Sequence, residues 1–552
     1  MNNSIQPHPT PGESTLSIQF LRSCLILLFL ISIYSLTYSG TFRVDDEHIL
    51  AARAQSLAFR GHLDYPQLFG NDRVRHLSDV QEDLATPIVA IEPGQAYLGS
   101  LCYRFAAAAG LDGVQAFLTI NLYAVAFTGV LVFWIVCGLG FQPKTGIATS
   151  LLFGVGTMVW PYSKTAFRDP LAMMFLAIGF WGWVLMANRE KSKPLGAVLL
   201  VMGIGFGALV KSSVLLAVPA LLFGGLINSR KNVSGKQPAS RWLLGSSIFL
   251  VGFLILVALL LPQIGPLSRL SISNFITLLE RYWNGIGWHT LLAVLGPILS
   301  PAKSVFIFNP TLILLPWSLR IGWSRVKHFA FPALLMTTFF MLAQALHLGE
   351  LWAGSLYWGL RYLLPCLPLL VVLTAPYLEK TLTAERNLGQ IAAWVLLICA
   401  YLIQLAGSVV SWGIPFVVWQ RSDLNPYITK AVWNFNFNVI PIHFEHLMNP
   451  ETWDVAWIRI VSLEPRVIPL SITFGVVIIL SGLALVKLQV SSRRRRLASR
   501  IGFVLVLCIM ALPIFPSLMY YQQDPRIGGQ DPELTKLLSW AEQEVEQGDL
   551  VI

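Results

Sequence analysis

"IQFLRSCLILLFLISIYSLTYSGTFRVDDEHIL" (residues 18–50) sets an apolar run of membrane-crossing length directly before three consecutive acids, Asp45, Asp46 and Glu47. A helix needs roughly 20 apolar residues to cross the hydrocarbon core, and the run from about Ile18 to Ser39 supplies them, with Arg22 near its start. No small-residue cleavage pattern leads from it into a soluble domain, so it reads as a retained helix and not a removed signal. Similar runs recur along nearly the whole 552 residues. Hydrophobic residues make up 55% and charged residues 12% of the chain, and its mean hydropathy of +0.63 lies outside the soluble globular class. A β-barrel would show short alternating segments instead, and none is seen. The expected architecture is all-α and polytopic.

About thirteen spans are expected, near 18–39, 113–138, 146–161, 170–187, 196–211, 213–227, 242–261, 306–323, 330–348, 363–378, 390–410, 467–487 and 501–520. With a cytoplasmic N-terminus, the inner loops include "NREKSKP" (188–194), "NSRKNVSGKQPASR" (228–241), "SRVKH" (324–328) and "SSRRRRLASR" (491–500). These are the strongly basic ones, as the positive-inside bias requires. The net charge of +10 is therefore a matter of topology and implies no nucleic acid. The six cysteines lie mostly within apolar runs, with no paired spacing for a disulfide scaffold, a metal or redox work.

That partition puts every long, aromatic, acid-containing loop on the outer face, with Asp45, Asp46 and Glu47 among them. After Asp46 the loop reads as an amphipathic helix: Leu50, Ala54, Leu57 and Ala58 form one stripe, while Asp46, Arg53 and Arg60 recur at a spacing of seven on another. Acids in a first helical turn also serve as caps and dipole complements, with Asp45 as the N-cap, and read alone that is their ordinary role. Other outer turns add charge. "WPYSKTAFRDPLAMMFL" (160–176) groups Lys164, Arg168 and Asp169, although Asp169-Pro170 also suits a plain helix start. "LSPAKSVFIFNP" (299–310) carries Lys303 between prolines, and "ELWAGSLYWGLRYLLPCLPLL" (350–370) leads Arg361 and Tyr362 into the mouth of a span. A guanidinium there is costly unless it meets an anion, a lipid or protein. Lys211, at the end of a span, reads as a lysine snorkelling to the surface, and His48 as a helix-surface residue. Carboxylates facing cations across an outer cavity are well suited to hold a lipid-linked phosphate while a carboxylate takes a proton from an incoming hydroxyl or amine.

"DDEHILAARAQSLAFRGHL", "YSKTAFRDPLAMMFLA", "SPAKSVFIFNPTLILL" and "LYWGLRYLLPCLPLL", in this order and on one side, resemble the GT-C superfamily of polyprenyl-phosphate-sugar-dependent glycosyltransferases, of the aminoarabinose-transferase and protein O-mannosyltransferase type. The resemblance covers roughly the first 375 residues. It implies an inverting transfer of one sugar from a polyprenyl phosphate to an outer-face lipid, glycan or protein, with no nucleotide-binding loop and no required cofactor. It places the catalytic Asp-Glu pair on Asp46 and Glu47, the later acid on Asp169, and the Arg-Tyr pair on Arg361 and Tyr362. Asp46 is then the general base, with the register open to Asp45, and Glu47 or Asp169 is available to orient the acceptor or face charge on the sugar ring. Arg361, Lys303 and Arg168 are candidates for the donor phosphate, and Asp45, Arg53 and Tyr362 for substrate contacts. A "K-P-P" type stretch expected before the second span is absent, since this chain reads "AIEPGQAYLG" (90–99). No His-rich or tightly spaced ligand set argues for a metal, although a divalent ion is conceivable with this many acids.

The expected organisation is a core over 1–411 that includes outer loop 40–112, a further outer loop and helices over 412–520, and an outer tail over 521–552. The tail ends in "LLSWAEQEVEQGDLVI", read as part of a small incomplete domain. Membrane lipids are implied partners, and a bacterial inner membrane with an outward-facing site is the implied location. The competing reading, a transporter or flippase, calls for ionisable residues deep in spans and paired broken helices in a repeat. Neither stands out here.

Overall fold

The computed structural model describes residues 13–63, 91–188, 192–229, 287–354, 357–383, 388–421, 431–461, 465 and 467–487. The expected spans 242–261 and 501–520, the basic loops 228–241 and 491–500, and the tail 521–552 lie outside them. The described residues are helical throughout, apart from loops and one antiparallel bridge between Val410 and Trp453.

The main helices are α1 (Glu13–Leu36), α2 (Asp45–Arg60), α3 (Gly94–Ala108), α4 (Ile120–Gly138), α5 (Pro143–Val155), α6 (Arg168–Asn188), α7 (Lys193–Val210), α8 (Leu315–Leu348), α9 (Leu388–Val409) and α10 (Val467–Lys487). Seven stretches among the described residues are long and apolar enough to cross a membrane: Ile18–Leu36, Gly113–Gly138, Arg168–Ala187, Lys193–Val210, Pro310–Leu348, Gly389–Val409 and Val467–Val486. The pair Arg361–Val372 and Ala375–Thr383, bent by 43°, makes up to eight. This is an integral, multi-pass membrane protein.

The expected spans near 146–161 and 213–227 are present as shorter, interrupted helices. α5 is 13 residues long and stops at Gly156, and the other is a 3₁₀ turn, Ser212–Leu216, followed by Ala217–Ser229. Breaks inside a bundle must be satisfied by side chains: beyond the α5 break, the Met158 amide donates to Asn309 Oδ1 at 2.9 Å.

The expected spans 306–323 and 330–348 are joined in one helical run, so "SRVKH" is helix and not a loop. Its residues are adequate helix formers, and beyond Pro316 in its first turn the only proline inside α8 is Pro332. A straight run over Pro310–Leu348, 39 residues, would be about 58 Å long at 1.5 Å per residue, far more than the bilayer core. The contacts show that it turns back. Ser318 donates to the Leu373 carbonyl at 2.7 Å, Gly322 faces Pro376 and Arg325 pairs with Glu379. Thr337, further along the run, has returned to Cys366.

α6 and α7 form the most extensive helix pair, and glycine makes their contact possible. A Cβ at Gly182 would lie 2.5 Å from the Gly196 carbonyl oxygen, and one at Gly203 would lie 2.6 Å from the Phe175 carbonyl oxygen. Small residues of this kind let membrane helices approach backbone to backbone. Replacing Gly203 by Ala is expected to cost about 1–3 kcal/mol, because a backbone clash cannot be relieved by a rotamer change. A lowered unfolding midpoint of the detergent-purified protein measures it.

Candidate active site

One end of the bundle collects the chain's buried charges. α2 starts at Asp45 with Val44 extended at the cap position and no side-chain cap, so Asp45 is the first helical residue and not the N-cap. Glu47, fully buried, satisfies the backbone there instead. Its Oε2 accepts from the Arg43 amide at 2.6 Å and its Oε1 from the Ala166 amide at 2.7 Å. Burial pushes its carboxyl up from the usual range, and Arg43, the two amides and Arg361 offset this. Asp46 beside it is exposed. The apolar stripe expected on α2 is the buried one, with Leu50, Ala54 and Ala58 in the core.

The segment 163–167 crosses this buried zone with only the Ser163 and Thr165 amides in turn bonds, to the carbonyls of Trp160 and Tyr162, so its other backbone groups need outside partners. Arg43 donates to the Lys164 carbonyl at 2.7 Å, and Asn121 to those of Thr165 and Phe167 at 2.7 Å each. Gln95 donates to the Ala166 carbonyl at 2.6 Å. Residues from the exit of α1, from α3 and from α4 thereby fix the turn that leads into Asp169. Asp169 is buried and paired with Lys211, whose ammonium lies 5.0 Å above the Tyr362 ring. This corrects the reading of Lys211 as a surface lysine: a buried acid gives it a better place than the interface.

Arg361 is the centre of the cluster. It is 8% exposed and opens a 3₁₀ turn, Arg361–Cys366, that contains Pro365. Its guanidinium carbon is 4.4 Å from the centre of Phe167, 4.7 Å from Tyr357 and 4.8 Å from Tyr362. One nitrogen, Nη2, donates to the Tyr362 hydroxyl at 3.0 Å. Nε and Nη1 are buried with no hydrogen-bond partner among the described residues. Just before the turn, Gly359 has φ +61°, and a Cβ there would press on Met158 and Phe308, so glycine is needed for the chain to enter. Lys303, 2% exposed, donates to the Tyr357 carbonyl and lies 3.5 Å from that of Gly359. Burial, with Arg361 nearby, pulls its pKa down to about 7.

Asp46 and Glu47 reach the same place. The Tyr357 hydroxyl is pushed up to about 12, first by burial and further by Asp46, Glu47 and Tyr362, against the opposing pull of Arg361. Glu47, Asp169, Lys303, Arg361 and Tyr362 lie in one cluster, with Asp46 in electrostatic range of Tyr357. Beside Tyr362 a mostly apolar cleft is lined by Pro297, Phe340, Met341, Trp352 and Leu363.

Two candidates are engaged elsewhere. Arg53 does not face the cluster: it donates to the carbonyls of Leu63 at 3.1 Å and Ile91 at 2.9 Å, holding both ends of the segment 64–90, which lies outside the described residues. Asp46, Arg53 and Arg60 therefore do not turn toward one cavity, since Asp46 and Arg60 are exposed while Arg53 is buried. Arg168 pairs with Glu92, which also accepts from the Ser212 amide at 2.7 Å. Glu92 lies in the stretch "AIEPGQAYLG" where a basic residue was looked for. Asp45 contributes its backbone to the start of α2.

Sequence reasoning missed Asp454. It is 3% exposed and takes Arg43, Lys164 and Arg459 on its two oxygens. Burial opposes its charge, but these three cations hold its carboxyl well below the usual range. Burial pulls Lys164 down to about 8, against the raising effect of Asp454. The only sequence signal was a lone acid between aromatics in "TWDVAW" (452–457). Among the described residues no group of three or more His, Cys, Asp or Glu could hold a metal ion.

No protein-family model matches the chain. Solved structures with a similar fold include ArnT from Cupriavidus metallidurans bound to undecaprenyl phosphate, with 13% identity over 92% of this chain and 78% of that one, TM-score 0.45. Its apo form matches at 15% identity over 90% and 76%, TM-score 0.41. The archaeal oligosaccharyltransferase AglB from Archaeoglobus fulgidus, in complex with an inhibitory peptide and a dolichol-phosphate, matches at 13% identity, TM-score 0.40. The match to AglB covers 73% of this chain but only 58% of AglB. Likeness at this distance carries no statement about chemistry.

Proposed function

We propose that this chain is a membrane glycosyltransferase that moves a sugar from a polyprenyl phosphate to an acceptor hydroxyl or amine at the outer face, with inversion. The observation that carries this reading is Arg361: a buried guanidinium in an aromatic cage that includes Tyr357, with two nitrogens unpartnered among the described residues. Buried polar groups are ordinarily satisfied, and an orphaned guanidinium edge is a fork for a phosphate.

In this reaction Asp46 takes the acceptor's proton as its oxygen or nitrogen attacks the anomeric carbon. The bond from that carbon to the phosphate oxygen breaks, and the phosphate leaves with the electron pair. Arg361 and Lys303 face the charge that develops on it, which is where preorganised donors contribute most. Glu47, with both oxygens committed to amides, positions the walls. Asp169 fixes Lys211 against Tyr362. The opposite end of the bundle carries Arg325, which pairs with Glu379 and lies over Phe141. The strongly basic short loops read from the sequence support an outward-facing site. The sugar-bearing lipid supplies the activation, so the reaction calls for no cofactor.

The test is transfer by the purified protein in bilayers from a prenyl-phosphate-linked sugar, with mass spectrometry of outer-face glycans in a deletion strain to name the sugar. Movement of the lipid-linked sugar across vesicles without transfer to an acceptor would replace this reading with a flippase.

Lys303 gives the site a pH dependence. A bound phosphate favours the charged lysine, so affinity is highest where the lysine already holds its proton, below its free pKa of about 7. Affinity then falls as pH rises toward the higher pKa of the complex. From pH 6 to pH 8 this contributes about a tenfold weakening of prenyl-phosphate binding. Comparing wild type with Lys303→Met in a binding titration isolates it, since the ionisation of the phosphate itself is common to both.

A further inference from the structure

We propose that Asp454 is a positioning residue for this transfer, setting the distance between Asp46 and Arg361 by closing a ring of bonds through Arg43 and Lys164; the inference rests on the transferase reading. The ring can be followed atom by atom. Asp454 Oδ2 accepts from Arg43 and from Lys164 Nζ, the latter at 3.1 Å. The Arg43 amide donates to Glu47, and Glu47 accepts from Ala166, two residues beyond Lys164. Asp46 is the chain neighbour of Glu47, and Phe167, the neighbour of Ala166, stacks on Arg361 at 4.4 Å. Glu47 and Ala166 are bonded directly across the ring from Asp454; the proposed base is one covalent step from that bond, and the proposed phosphate clamp is one covalent step and one ring contact from it.

Asp454 itself is held from outside the ring. Its amide donates to the Val409 carbonyl at 2.7 Å, and the Ser411 amide donates to that of Thr452 at 2.9 Å, so the segment is tied to the end of α9. The Ala456 amide donates to the Tyr38 carbonyl at 2.7 Å, and the Trp457 indole to that of Leu36 at 2.9 Å, tying it to the end of α1. Arg459 bridges the Ser39 carbonyl and Asp454 Oδ1. Arg43 also lies 5.2 Å over the Trp412 ring. Residues 452–459 thus form a strap across the exits of two helices, and its one carboxylate reaches the two segments that build the site. Asp454 does not touch the Arg361 cage and acts only through Arg43 and Lys164.

The test uses the full chain with Asp454→Asn and, in case that variant folds poorly, Arg43→Gln. Displacing a reacting group by about an ångström costs roughly 100-fold in rate. Each variant is expected to lose about that factor in kcat, while donor KM and prenyl-phosphate binding stay within about twofold of wild type. The double variant should be no worse than either single one, because both break the same ring. Peptide-level hydrogen exchange should rise over 40–47 and 163–167. The proposal is overturned if kcat stays within about threefold of wild type, or if kcat and prenyl-phosphate binding fall together. Should the wild type itself transfer no sugar, the transferase reading fails instead, and the exchange data still decide whether Asp454 holds the two segments.

Discussion

Arg361→Met is expected to bind polyprenyl phosphate about 100-fold more weakly than wild type and to lose at least as much in kcat/KM. Among the described residues, one nitrogen of the guanidinium is hydrogen-bonded, with the Tyr362 hydroxyl as its partner. Nε and Nη1 remain for a ligand. Hydrogen bonds to charged groups contribute about 1.5–3 kcal/mol each, so losing two of them accounts for a hundredfold change with allowance for residual contacts from Lys303. Methionine keeps the volume and the contacts with Phe167, Tyr357 and Tyr362, which separates lost charge from lost packing. Arg361→Lys restores the charge without the planar fork that fits between three rings, and it should recover less than a tenth of the affinity. Titration with polyprenyl phosphate in detergent measures both. Unchanged affinity in Arg361→Met would remove the phosphate from this site.

Asp46→Asn should behave in the opposite way. Positioned general bases contribute about 10²–10⁴ in rate, and a fall of that size in kcat is expected with prenyl-phosphate binding unchanged. The neighbouring acid cannot substitute for it. Glu47 is buried with both oxygens on amides, whereas Asp46 is exposed to an arriving acceptor. Single-turnover assays with preloaded donor separate the chemical step from binding. A variant that keeps full turnover would take the base role away from Asp46.

The charges most legible in the sequence were those whose position was costly without a function. Arg361 at the mouth of an apolar stretch, and acids directly after a span, demanded partners of some kind, and the fold gathers them. The partners of Arg53 and Arg168 were not legible: a helical spacing for the first and a crowded turn for the second give direction but not what lies opposite. The carbonyls of Leu63 and Ile91, and the carboxylate of Glu92, come from tertiary packing that no local pattern encodes. The same holds for Lys211, which looks like an interfacial lysine until Asp169 is brought beside it. Among the spans, long apolar helices such as α4, α6 and α7 were read directly. The basic stretch 324–328 looked like a loop because charge interrupted the apolar run, but nothing in it breaks a helix. Asp454 was out of reach, since its partners are set by the path of the whole chain.

The bond between Arg43 and Asp454 joins positions 411 apart in the chain, and synthesis runs from one to the other. At about 5–20 residues per second, the ribosome needs on the order of 20–80 s after making the arginine before it makes the aspartate. Throughout that interval the acid that neutralises Arg43 and Lys164 does not exist. Until the late strap arrives, the two halves are joined by the Arg43–Lys164 carbonyl and Ala166–Glu47 bonds without the carboxylate that closes the ring. Order of birth therefore leaves the full ring to be completed last, after every other residue that it joins has been made.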